Sequence, residues 1–70
     1  MDKESKKSIK DYLYRMFISF ADSRESDTLA DRLTEPVAKD IEESADEEFN
    51  ECDIDIALTR VLLDLTEDLS

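Results

Sequence analysis

Ile9, Tyr12, Leu13, Met16, Phe17, Phe20 and Ala21 recur at the i, i+3, i+4, i+7 spacing that gathers side chains on one face of a helix. Ser5 or Ser8 is placed to cap its start, and polar residues accumulate from Asp22 to Ser26. The pattern predicts a first helix over 8–21. Tyr14 and Ile18 fall off this stripe and, four residues apart, share a flank. Further on, Leu29, Leu33, Val37, Ile41 and Ala45 recur every fourth residue behind Ser26 and Asp27, either of which suits an N-cap. Pro36 interrupts that run. Inside a helix a proline removes a hydrogen bond and clashes with the preceding turn, at about 3 kcal/mol, whereas in a first turn it is tolerated. The pattern therefore predicts a short helix near 28–33, a break at 34–35 behind Thr34, and a helix from 36 to about 46.

Residues 46–53 read as the last connection, with Asp53 capping a final helix over 53–69. Its stripe is Ile54, Leu58, Val61, Leu62, Leu65 and Leu69, with Ala57 beside it. Ile54 to Leu58 alternates as a strand would, but Leu62-Leu63-Asp64-Leu65 does not, and helix wins. The expected fold is all-α: one domain over residues 1–70, a bundle of three or four helices. The first and last helices are expected to form the core together, with the middle segment covering them. Tyr14, Ile18, Ile56 and Leu63 lie outside the stripes. A domain this small cannot bury every side of its helices, so these four are expected to face a second copy in a homodimer.

Composition narrows the chemistry. There is no histidine, which removes the commonest general base and the usual zinc and di-iron ligand sets. There is no glycine, which removes every glycine-rich phosphate loop. The acids of 46–51 lack the glycine and the ligand spacing of a calcium loop. Cys52 stands alone, so no internal disulfide forms, and Glu51 and Asp53 beside it disfavour a thiolate. No enzyme activity, metal or cofactor is expected.

Charge changes the picture most. Twenty acidic residues against nine basic give a net −11, yet 40% of the chain is hydrophobic and periodic, unlike a disordered acidic tail. Residues 1–10 hold Lys3, Lys6, Lys7 and Lys10 against Asp2 and Glu4. Those lysines suit either an anionic lipid surface or the chain's own acids, and the surrounding negative charge favours the acids. The apolar run Tyr12–Ala21 is too short to span a bilayer. A cytoplasmic protein is expected, with no direct contact to nucleic acid or membrane.

From Asp40 to Asp53 there are eight acids and no base. Asp40, Glu43, Asp46, Glu47, Glu48 and Glu51 are the candidate partner-binding residues. Glu43, Glu47 and Glu51 would form a row if the helix continued, at a pitch comparable to that of nucleic-acid phosphates. Phe49, among them, reads either as an apolar anchor for a partner or as a core contact that pins the loop. In size, charge and helicity the chain is similar in character to the small acidic proteins that phages use against host nucleases and other defence systems. That likeness implies an inhibitor of a basic, nucleic-acid-binding protein and transfers no residue roles. The alternative expectation is a homodimeric adaptor or regulatory subunit that binds through an apolar helix groove.

Overall fold

Three short polar side chains start three helices. The computed structural model describes residues 1–44 and 48–69, and within them the chain forms α1 (Lys3–Phe17), α2 (Ser23–Ser44) and α3 (Glu51–Leu69). The Asp2 carboxylate accepts the Ser5 N–H at 2.8 Å and the Asp22 carboxylate accepts the Glu25 N–H at 2.7 Å. Asn50 and Asp53 cap reciprocally. The Asp53 N–H donates to Asn50 Oδ1 at 3.1 Å and the Asn50 N–H to Asp53 Oδ2 at 2.9 Å. Each cap satisfies amide donors that the first turn of a helix leaves orphaned. Each also lies upstream of the cap read from the pattern. α1 begins before Ser5, α2 before Ser26, and Asp53 serves in the third helical position of α3. At the other end α1 stops at Phe17, where the Phe20 and Ala21 amides both return to the Phe17 carbonyl.

α2 is one continuous helix of 22 residues with Pro36 inside it, so the break predicted at 34–35 does not occur. Pro36 and Arg32, whose carbonyl the proline deprives of its partner, are both exposed. The opposite face carries Ala30, Thr34, Val37, Ala38 and Ile41, all buried. Burying Val37 and Ile41 contributes about 1.5–3 kcal/mol each, enough to offset the proline's roughly 3 kcal/mol. Thr34 caps nothing. Its hydroxyl donates to the Ala30 carbonyl at 2.6 Å within the helix.

α1 and α2 form an antiparallel hairpin whose flank is laced by ion pairs: Lys6 with Glu35 at 3.1 Å, and Lys10 with Asp27 and Asp31 at 3.5 and 3.6 Å. α3 does not return alongside α2. Its start lies at the middle of α1, where Asp55 meets the Tyr12 phenol. About two and a half turns later, Arg60 still reaches back to the end of α2, with Nε 3.0 Å from Asp40 Oδ2 and a terminal nitrogen 3.1 Å from Ser44 Oγ. A helix running beside α2 would have left Ser44 behind by then, so α3 lies obliquely across the hairpin. The molecule measures 33 × 31 × 18 Å, the thinnest dimension matching about two helix layers at 8–10 Å spacing.

The core is Ile9, Leu13 and Phe17 of α1, Ala30, Val37, Ala38 and Ile41 of α2, and Ile54, Ala57, Leu58 and Val61 of α3. α2 is its centre. It packs on both other helices, which meet each other far less. This corrects the expected arrangement, in which α1 and α3 form the core together and the middle segment covers them. Leu62 and Leu65 also depart from the pattern. They continue the core stripe of α3, yet they are 45% and 49% exposed because α3 has by then run past α2.

Candidate interaction surface

The charges divide the molecule in two. Residues 1–39 hold eight acids and eight bases, and residues 40–70 hold twelve acids and Arg60 alone, so the whole net of −11 belongs to the second segment. In the first segment Lys6 and Lys10 face acids across the hairpin. Lys3, Lys6, Lys7 and Lys10 border a groove shared with Asp31, Thr34 and Glu35, and two of the four are paired there. In the second, Arg60 is spent on Asp40.

The candidate partner-binding residues do not share one environment. Asp40 is half-buried against Arg60. Glu43, Glu48 and Glu51 are exposed, while Asp46 and Glu47 lie outside the described residues. α2 ends at Ser44 and α3 begins at Glu51, so Glu43 and Glu51 do not share one helical row. Glu42, not singled out by spacing, pairs with the amino group of Met1, and that bond holds its carboxyl below the ordinary range. Phe49 is half-buried and packed on the core. With Asn50, Glu51 and Ile54 it lines a shallow depression against Tyr12 and Arg15 of α1. The Tyr12 hydroxyl is held above its usual pKa, first by hydrogen bonding to Asp55, then by desolvation and the charges of Asp55 and Glu51.

The four residues expected to self-associate lie on two elements, Tyr14 and Ile18 at the α1 flank and Ile56 and Leu63 on α3. Tyr14 is half-buried on the core cluster, and Ile18 is 41% exposed on the same flank of α1. Two residues from Tyr12, Tyr14 points to the other side of the helix from the residue that meets α3. Ile56 and Leu63, 54% and 59% exposed, sit seven residues apart on the outer face of α3. The apolar surface that spacing did not mark as exposed is Phe20, Leu29, Leu62 and Leu65, all read as core positions. Phe20 lies in the turn beyond the end of α1, and nothing local distinguishes Leu29, Leu62 and Leu65 from buried members of their stripes, since their exposure depends on where α3 crosses.

Cys52 is exposed, and no described helix is long and apolar enough to cross a membrane. No protein-family model, curated protein or solved structure matches this chain.

Proposed function

We propose that this chain is a non-enzymatic, cytoplasmic binding module. It docks the acidic segment Asp40–Asp53 on a basic, nucleic-acid-binding surface of another protein and blocks it, in the manner of small acidic phage anti-defence proteins. The carrying observation is the division of charge: the acids and bases of residues 1–39 balance, and the net −11 lies in the segment from Asp40 onward, which holds one base. Glu43, Glu48 and Glu51 are exposed, so their charge is presented to solvent. A field of one sign on one side steers a basic partner and repels acidic ones. Phe49, between Glu48 and Glu51 in the chain, is half-buried and packed on the core, which ties this end of the acidic segment to the fold.

The test is affinity capture from the native host at low and at high salt, with DNA and RNA as competitors. A nucleic-acid-binding partner that is lost at high salt and displaced by nucleic acid supports the proposal. Glu43→Lys, Glu48→Lys and Glu51→Lys together should abolish capture. Capture that survives the triple reversal would leave the acids as a solvated surface.

A further inference from the structure

α1 and α2 present one side to α3, and α3 covers only part of it. On α1 that side holds Tyr12, which meets Asp55, and Met16, one turn further toward the hairpin tip. On α2 it holds Asp40 and Ser44, which meet Arg60. Leu33 and Leu29 continue the same stripe toward the tip, at helical spacings of seven and eleven residues from Asp40. Met16 and Leu33 are half-buried, Leu29 is 40% exposed, and Phe20 at the tip is 70% exposed, its ring set edge-on to that of Phe17 with centroids 5.7 Å apart. The tip of the hairpin is therefore an apolar shelf in the layer α3 occupies, with no helix on it among the described residues. The far end of α3 is the converse, an arm whose Leu62 and Leu65 extend a core stripe and are 45% and 49% exposed.

We infer that the shelf receives the α3 arm of a second copy, reciprocally, so that two chains form a closed dimer. Both surfaces are on every chain, as a two-fold interface requires. Their charges also match. Arg32 flanks Leu33 and Arg15 flanks Met16, and neither makes an ion pair among the described residues, while the arm carries Asp64 and Asp68 beside Leu65. A basic partner would find Arg15 and Arg32 repulsive, whereas an acidic apolar arm finds them complementary. Each chain then adds a third helix to α1 and α2 at the other's tip.

Sedimentation across micromolar to submillimolar concentration tests this. The expected result is a species of twice 8.1 kDa. Leu65→Glu and, independently, Leu29→Glu should each yield a monomer of unchanged helicity, since both side chains are already exposed within one chain. Two substitutions make the test harder to satisfy by accident, as only a double failure of folding would obscure it. Ile56→Glu, on the outer face of α3, should leave the dimer intact. Arg32→Glu should raise the dimer Kd about fivefold or more, and adding Asp68→Lys should recover part of that loss. Raising salt should leave the dimer in place, because it screens the repulsion between two chains of −11 as well as the arginine contacts. A monomer at every concentration overturns the inference, as does a dimer that Ile56→Glu dissolves and Leu65→Glu does not.

Discussion

In the α1–α2 hairpin, Lys6 and Lys10 of one helix stand against Glu35, Asp27 and Asp31 of the other; in α3 the single base, Arg60, reaches back to α2. The hairpin also buries both of its stripes along most of their length, whereas α3 buries Ile54, Ala57, Leu58 and Val61 and exposes Leu62, Leu63 and Leu65. Two regions of similar residue type thus carry different duties. Where opposite charges and long apolar stripes face each other, a helix becomes scaffold. Where a helix has spare charge of one sign and a stripe longer than its support, it becomes surface.

The sharpest way to break this contrast is to cut equivalent side chains. Leu13 and Leu65 both occupy the apolar stripe of their helix, but Leu13 is fully buried and Leu65 is not. Leu13→Ala should cost about 2–5 kcal/mol in urea unfolding, comparable to the roughly 3–5 kcal/mol a core of this size supplies, and leave the chain largely unfolded. Leu65→Ala in a monomeric background should change the unfolding free energy by less than about 0.5 kcal/mol. Equal effects would mean that α3 is as well supported as the hairpin.

Smaller effects come from the ion pairs. Arg60→Ala removes the only cation of the α3 side, and a double-mutant cycle with Asp40→Ala should give a coupling of about 0.5–1 kcal/mol, since Asp40 is half-buried. The same cycle on Lys6 and Glu35, both more open, should give a few tenths of a kcal/mol. Ser26→Ala probes the scaffold differently. The hydroxyl is buried with no partner among the described residues, so its removal should stabilise the fold by up to about 1 kcal/mol.

The smallest effect is a pH signature at the joint of the two regions. The Tyr12 pKa is raised in the fold, so the stabilisation linked to its proton is complete below the unfolded pKa of about 10 and fades as pH rises through the folded value. Tyr12→Phe should flatten this alkaline limb in a stability profile. A limb that persists in Tyr12→Phe would place its origin elsewhere.

How much of the molecule is legible along the chain depends on range. Ile9, Leu13 and Phe17, or Ile54, Leu58 and Val61, are set by helical periodicity against any neighbour, and they are buried where spacing puts them. The helix starts escape the pattern because Asp2, Asp22 and Asn50 compete with nearby serines and acids that look equally good as caps. Pro36 misleads because its cost is local and the burial that offsets it is tertiary. The exposure of Leu62 and Leu65 depends on the angle at which α3 crosses, which no pattern within α3 records. On the candidate surface, the absence of bases from Asp40 to Asp53 is plain in the sequence, but the engagement of Arg60 and Asp40 with each other is not.

The placement of charge also governs how an approaching molecule is turned before contact. At physiological salt the electrostatic reach in water is about 8 Å, far less than the 31 Å breadth of the protein. A visitor arriving on the hairpin side meets a nearly neutral mosaic and diffuses on. One arriving on the α3 side meets an excess of carboxylates within that reach and is held long enough to rotate. The first encounter of the proposed basic partner would thus be oriented before contact, with its basic side inward.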